Sequence, residues 1–330
     1  MRKFAVITTI FEPSLAVRKV AELDDWEIVV VGDKKTPEGW ASPRATYLSP
    51  TMQDQLPWSM SRVLPWNHYS RKMLGYAHAI QEGADLIADL DDDNIPLANW
   101  GELPPDGSHE TVVESGFLNA YKFFTDAFIW PRGFPIDQIR SERRDELTRL
   151  SRNVGVWQFL ANNEADVDAI YRLLFDRPIT FSQRQPIVLE EGVFCPCNSQ
   201  NTLFVREAFV LLYLPAFVSF RFTDVLRGLV AQPILWAADL RLGFGPATTL
   251  QQRNPHTHLK DFEAEITTYL YAEKAAYLAA EAVNSSRSMA DNLVMAYESL
   301  LKAGIVEDRE LPVLEAWLKD VVPLLKPKSK

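Results

Sequence analysis

The chain opens on a β-α-β signature, and that opening narrows the fold more than any other feature. Phe4 to Ile10 is a short β-rich run that predicts a buried strand, Pro13 opens a helical pattern reaching about Leu23, and Glu27 to Val31 is a second strand run ending at Gly32-Asp33. Two strands joined by one helix pair most simply in parallel, so an α/β fold with a mainly parallel sheet is expected. The turn after the first strand, Thr8-Thr9-Ile10-Phe11-Glu12-Pro13, has neither a G-x-G-x-x-G pattern nor a Walker lysine, and the whole chain has only 14 glycines. A dinucleotide oxidoreductase or P-loop enzyme is therefore disfavoured.

The next unit carries the chemistry. Asn67 is read as the cap of a helix running to about Glu82, with Tyr69, Met73, Tyr76 and Ile80 on its buried face and Gly83 closing it. Asp85 to Leu90 then reads as a strand that runs into Asp91-Asp92-Asp93-Asn94. The carboxyl edge of an open α/β sheet is where ligands bind. In an extended segment Asp91 and Asp93 point the same way and repel unless a cation sits between them. Hard carboxylate oxygens suit Mg²⁺ or Mn²⁺, which usually bridge one or two carboxylates to substrate phosphates. The alternative is a solvated acidic loop with Asn94-Ile95-Pro96 as a turn. The apolar strand and the helix before the triplet favour the functional reading.

Composition excludes several other classes. At 330 residues the chain is one large domain or two ordinary ones, and its net charge of −10 makes nucleic acid an unexpected partner. Two cysteines, Cys195 and Cys197, rule out a disulfide framework and fit a reducing compartment. The most apolar window, Leu203 to Phe220, contains Arg206, Glu207 and Pro215, so it reads as core and not as a transmembrane segment. The N-terminus lacks a signal-peptide pattern, and the expected location is cytoplasmic, with peripheral membrane contact through a partner left open. Residues 137–175 are expected to include helices. Beyond Lys260, the patterns at 261–283, 288–303 and 307–325 read as three helices, which divides the chain into a catalytic domain (1–259) and a helical C-terminal extension (260–330).

A strand, a basic helix, a second strand and an aspartate cluster resemble a GT-A glycosyltransferase. Many members of that superfamily carry R-N-x-G-x-x-x-A on the helix before the metal motif, and residues 72–79 read KMLGYAHA, conservative at the first position and divergent at the second. More specifically, most of the chain resembles the STELLO family, through residues 64–72 (LPWNHYSRK), 91–96 (DDDNIP), 130–135 (WPRGFP), 195–202 (CPCNSQNT), 219–228 (SFRFTDVLRG) and 252–256 (QRNPH). Plant members of that family are anchored Golgi proteins, and the sequence resembles their catalytic part. A second, looser likeness is to the reversibly glycosylated polypeptides, nucleotide-sugar mutases that share an aspartate triplet and the R-G-[FY]-P segment at Arg132-Gly133-Phe134-Pro135.

These resemblances imply transfer of a sugar from a nucleotide diphosphate sugar, UDP-linked, to a glycan or lipid-linked acceptor hydroxyl with inversion. Thr8, Thr9, Ile10 and Asp33 are expected at the nucleoside, and Asp33 is equally open to a turn-capping role. Arg71, Lys72 and Asp92 are expected at the donor diphosphate, Arg132 at a phosphate or carboxylate. Asp91 and Asp93, completed by His256 with His258 as its rival, are expected to hold the Mn²⁺ or Mg²⁺. Asp224 is the expected catalytic base, kept ionised by Arg221 and Arg227 at i−3 and i+3, with Glu190 and Glu191 as competitors. Asn198 and Asn201, with Arg221 and Arg227, are assigned to the acceptor. Trp130 and Trp157 are candidates for stacking on sugar faces. Two rival readings remain: a nucleotide-sugar mutase that interconverts ring forms with no separate acceptor, whose likeness makes Arg132 a candidate for glycosylation, and a non-catalytic scaffold for other glycan-synthesis enzymes.

Overall fold

The structure, a computed structural model, describes residues 1–105, 107–141, 143, 145–175, 177–252 and 257–326. Strand β1 (Lys3–Thr8) leads into helix α1 (Leu15–Ala21), capped by the Ser14 hydroxyl accepting from the Val17 amide, and then into β2 (Trp26–Val31) and β3 (Ala45–Leu48). Two short helices, α2 (Pro50–Asp54) and α3 (Met60–Val63), precede α4 (Lys72–Gln81), after which come β4 (Leu86–Leu90) and β5 (Asn94–Pro96). The middle of the chain supplies β6 (Ser108–Val112), β7 (Gly116–Phe117), β8 (Leu147–Ser151), β9 (Val154–Asn163), helix α5 (Ala169–Leu174), β10 (Ile187–Leu189), β11 (Val193–Phe194) and β12 (Asn201–Val205). Helix α6 (Thr223–Ala237), β13 (Arg241–Gln251) and helices α7 (His258–Ala282), α8 (Met289–Lys302) and α9 (Glu310–Leu325) complete it. Among the described residues no helix is long and apolar enough to cross a membrane.

The α/β class expected from the sequence is the one observed. The main sheet runs β3-β2-β1-β4-β12-β9-β13-β10-β6-β8, with β5 on the far end of β13. Its first four strands are parallel, so β1, β2 and β4 all end on one edge. Strand β12 lies antiparallel between β4 and β9, and the sheet beyond it is mixed. Helix α4 lies flat on β1 and β2 because Gly75 has no side chain: a Cβ there would come within 2.5 Å of Val6 Cγ1 and 2.8 Å of Val31 Cγ2.

One expectation is met and one changes. Residues 137–175 include the helix expected of them, the short α5, but more of the stretch is strand, in β8 and β9. The β-branched and aromatic run of β9 pairs with β12 and β13, which lie far along the sequence, so tertiary pairing sets its structure. Asn67 is not a helix cap. It sits at φ 54°, and the ring of His68 caps the single 3₁₀ turn Tyr69–Arg71 that leads into α4.

The three C-terminal helices join the same apolar cluster as the sheet, through Ala272, Ala276, Leu293, Tyr297, Leu314 and Trp317. Polar ties fix their position. The buried Glu310 carboxylate accepts from the Tyr213 hydroxyl and from the amides of Ala216 (2.9 Å) and Phe217 (2.7 Å), and Asp320 accepts from Ser59 Oγ (2.9 Å) and the Met60 amide (2.8 Å). Helix α7 reaches the same stretch of chain: Glu265 accepts from Arg221 Nη2 at 2.7 Å, and the Ala264 carbonyl from Ser219 Oγ.

Candidate active site

The carboxyl ends of β1, β2 and β4 open into a cleft of about 520 Å³. Thr8, Thr9, Ile10, Asp33, Arg71, Asp91, Asp92, Asp93, Arg132, Arg221 and Asp224, all expected from the sequence, line it.

The aspartate triplet is a turn between β4 and β5, not a continuation of the strand, so strand alternation does not set its side chains. Each carboxylate is held by a different element instead. Asp91 accepts from the Tyr69 hydroxyl at 2.6 Å and lies 3.4 Å from Lys72 Nζ, Asp92 accepts from Thr9 Oγ1 at 2.5 Å, and Asp93 accepts from Gln251 Nε2 at 3.2 Å. Asn94 ties the turn back, its Oδ1 accepting from the Asp91 amide at 3.3 Å. Burial pushes Asp91 up to about 7; Lys72 and the Tyr69 hydrogen bond pull it down, and repulsion from Asp93 and Asp89 adds to the rise. Burial also raises Asp92.

Lys72 does not line the cleft. It is fully buried, paired with Asp89 Oδ1 at 2.6 Å and donating to the Leu90 carbonyl at 2.7 Å and to Tyr69 Oη at 3.0 Å. Asp89, next to the last residue of β4, also takes Arg227 Nη1 at 2.7 Å. This Lys72–Asp89–Arg227 triad fastens α4, β4 and α6 together beneath the triplet. Burial would raise Asp89, but the two cations outweigh it and hold the carboxyl below its ordinary value.

Arg71 is buried in the cleft wall, its guanidinium 3.4 Å from the centre of the Trp66 ring, with Nε on Gln53 Oε1 (2.7 Å) and Nη1 on the Leu64 carbonyl (3.0 Å). Its Nη2 has no hydrogen-bond partner. Burial lowers Arg71 to about 10, well above neutral pH, so it remains a cation. Asp33 accepts from the amides of Lys34 and Asn67 through Oδ1 (2.7 and 2.8 Å) and of His68 through Oδ2 (3.2 Å), the turn-capping role left open for it.

Asp224, also in the cleft lining, sits in the first turn of α6 and shares the Arg132 guanidinium with Asp166. Burial would raise Asp224; the charge and hydrogen bonds of Arg132 dominate, helped by Arg227 and Arg221, and hold it down at about 2. Arg221 and Arg227 give their own hydrogen bonds elsewhere, to Glu265 and to Asp89, so the i±3 neighbours are not the main support expected. Glu190 pairs with Arg152 and Arg241, and neither it nor Glu191 lines the cleft.

Burial separates other assigned residues from the cleft. Asn201 is in the core, donating to Leu160 O and Thr248 Oγ1 and accepting from Trp100 Nε1. Asn198 braces Asp166 from below, Nδ2 to Oδ2 at 2.5 Å, and Arg227 is in the buried triad; none of the three is among the lining residues. Trp130 and Trp157 are both core, at 1% and 4% exposure. The aromatics at the mouth are Phe11 and Phe220, both exposed, the latter edge-on to Tyr69 at 5.9 Å. Asp166, Tyr69, Gln200, Gln251 and Lys35 also line the cleft and were not anticipated. The signal for Tyr69 was present, since it lies in the 64–72 stretch; Asp166 stands in a region of weak periodicity. His256 lies outside the described residues.

The donor set fits a divalent ion. Among the described residues no three His, Cys, Asp or Glu side chains form a complete metal cage. Two carboxylates completed by substrate phosphate oxygens are the usual Mg²⁺ arrangement, and Asp91, raised by burial and by repulsion from Asp93 and Asp89, would be stabilised in its charged form by a cation placed there.

No protein-family model matches the sequence. Over 97% of its length the chain is similar to two Arabidopsis thaliana proteins, "Probable glycosyltransferase STELLO1" (26% identical) and "Probable glycosyltransferase STELLO2" (25% identical). The STELLO resemblance thus runs along essentially the whole chain, which spans 44% of either relative. Two solved structures align at low similarity. One is titled "Crystal Structure of a Mycobacterial Protein" (11% identity, TM-score 0.41, 82% of this chain and 74% of that one). The other is glucosyl-3-phosphoglycerate synthase from Mycobacterium tuberculosis with phosphoglyceric acid (11%, TM-score 0.40, 83% and 80%).

Proposed function

We propose that this relative of the STELLO proteins is a GT-A-like glycosyltransferase that binds a nucleotide diphosphate sugar, UDP-linked, through a divalent cation and transfers the sugar to an acceptor hydroxyl of a glycan or lipid-linked molecule. One observation carries the reading: Asp91, Asp92 and Asp93 line the same cleft as Arg71, so carboxylates suited to a cation stand beside a cation suited to phosphate. A ligand that meets both brings positive and negative charge together, as a metal diphosphate does.

Asp91 and Asp93 would hold the Mn²⁺ or Mg²⁺, which neutralises charge on the leaving diphosphate. Arg71 donates to the diphosphate. Thr8, Thr9, Ile10 and Asp33 line the nucleoside end, and Lys72 acts through Asp91 and Tyr69, fixing their positions from below. In inverting transfer the acceptor oxygen attacks the anomeric carbon, the bond to the diphosphate oxygen breaks, and the acceptor proton passes to a carboxylate, a role we give to Asp224, which lines the same cleft as the triplet. A carboxylate held near 2 is a weak base at rest. It takes the proton as the new C–O bond forms and the hydroxyl becomes acidic. The mutase reading gains no support, because Arg132 has no donor left for a sugar.

A thermal-shift panel of nucleoside diphosphates with and without Mn²⁺ tests this. UDP should raise the melting temperature only with metal, and Asp91→Asn/Asp93→Asn should erase the shift. A metal-independent shift, or none with any nucleotide, would defeat the proposal.

A further inference from the structure

We infer that Arg132 is a positioning residue, a two-sided clamp that locks Asp166 and Asp224 into one fixed carboxylate pair, and that it neither binds donor nor carries a sugar. An arginine has five N–H donors in a rigid plane, and here all five are spent inside the protein. Nε and Nη2 donate to Asp166 Oδ1 and Oδ2, both at 3.0 Å. From the opposite edge, Nη1 and Nη2 donate to Asp224 Oδ1 (3.0 Å) and Oδ2 (2.8 Å), and the remaining Nη1 hydrogen goes to the Arg221 carbonyl.

The backbone repeats the connection, with the Arg132 amide donating to the Asp166 carbonyl at 3.2 Å. Gly133 makes it possible: it sits at φ 89°, and a Cβ there would come within 2.4 Å of Val225 Cγ1, so any side chain would push α6 and Asp224 away from the guanidinium. The W-P-R-G-F-P segment thereby has a structural reason for its order. The remaining acceptor positions are unequally filled. Asp224 also accepts from the Val225 amide (3.0 Å) and the Ser199 amide (3.4 Å), and Asp166 Oδ2 from Asn198, which leaves Asp166 Oδ1 with Arg132 Nε as its one described donor. On the transferase reading Asp166 Oδ1 orients the acceptor hydroxyl and Asp224 takes its proton at the position of the long Ser199 contact; the clamp itself does not rest on that reading.

The test reads titration directly in the full chain with ¹³C-labelled aspartate carboxyls, assigned with Asp224→Asn and Asp166→Asn. The charged and titratable groups around Asp224 are Arg132, Arg221, Arg227, Cys197 and Tyr69, with Asp166 across the guanidinium. Asp224 should stay ionised in the wild type down to roughly pH 3, and Arg132→Gln should raise its midpoint by about 1–3 pH units. Arg132→Lys, which keeps the charge and loses the fork, should fold and give a smaller rise in the same direction. A brace with no electrostatic role would lower the melting temperature of both variants and leave the Asp224 midpoint where it was, which would overturn the inference. So would a sugar adduct on wild-type Arg132, sought by intact-mass measurement after incubation with UDP-glucose, UDP-xylose or UDP-arabinopyranose and Mn²⁺. Should the UDP thermal shift fail while the titration behaves as expected, the donor reading falls and the clamp stands.

Discussion

The aspartate triplet and the start of helix α6 treat the same side chain in opposite ways. Asp91 and Asp224 are both carboxylates in a largely desolvated wall, yet the first is pushed up to about 7 and the second held down at about 2. Burial acts on both in the same direction. What differs is the counter-charge: Arg132 faces Asp224 with a two-pronged fork, whereas Lys72 is already committed to Asp89 and stands 3.4 Å from Asp91, and Asp93 adds repulsion. Asp224 has its counter-charge within the fold, whereas on the proposed reading the triplet takes further positive charge from a bound ligand. A carboxylate raised by weak counter-charge points to a site more than acidity alone does.

The most severe test of this contrast is Asp91→Asn/Asp93→Asn, which should cut sugar transfer by about 10²–10³-fold or more in a protein that still folds and, free of metal, melts no lower than wild type. Retained transfer would show that the triplet does no chemistry. Next is Asp89→Ala, which strands Lys72 and Arg227 as buried cations without their shared anion; urea denaturation should register a loss of about 3–5 kcal/mol. Arg71→Gln should weaken UDP–Mn²⁺ binding by about 10–100-fold by calorimetry, the value of one or two hydrogen bonds to a charged group.

The pH dependence sharpens the comparison with opposite signs. The folded value of Asp91 lies above its unfolded one, so in metal-free protein the folded state retains that proton between about pH 4 and 7, and stability falls as pH rises through this window. Asp224 is depressed, so its contribution is present above about pH 4 and is lost as pH falls toward 2. Urea melts of wild type against Asp91→Asn and Asp224→Asn, each as a difference, should separate the two slopes. The smallest effect belongs to Phe220→Ala at the exposed mouth: stability within about 0.5 kcal/mol of wild type, with ligand affinity reduced only a few-fold.

The sequence carried the parallel half of the sheet well because its strands are short apolar runs with a helix between them, and local patterning suffices there. The triplet and the first turn were also legible, since a strand ending in aspartates places them at a sheet edge whatever follows. Sequence could not tell which polar groups are swallowed by the core. Lys72, Asn198, Asn201 and Arg227 look like surface chemistry by residue type, yet each is buried by partners from other elements: Lys72 by Asp89, Asn201 by Trp100 and Thr248, Asn198 by Gln158 and Asp166, and Arg227 again by Asp89. Asp89 carried the missed clue, an acidic residue inside an otherwise apolar strand, which has to find a cation nearby. Asp166 gave no such clue, because its partners lie 34 and 58 residues away, at Arg132 and, through it, Asp224.

The loop that carries Phe220 and Arg221 toward the cleft is fastened from behind by Glu265 and Ala264 of α7 and by Glu310 of α9. A version shortened after residue 259 would lose those three anchors at once and uncover Phe209, Tyr213 and Leu214 to water. The wall that carries the aspartate triplet would persist while the wall that carries Phe220 and Arg221 came adrift. The smallest workable piece for crystallisation or engineering therefore keeps the last three helices, and grafting a different ending onto this sheet would have to supply a carboxylate that receives the amides of Ala216 and Phe217.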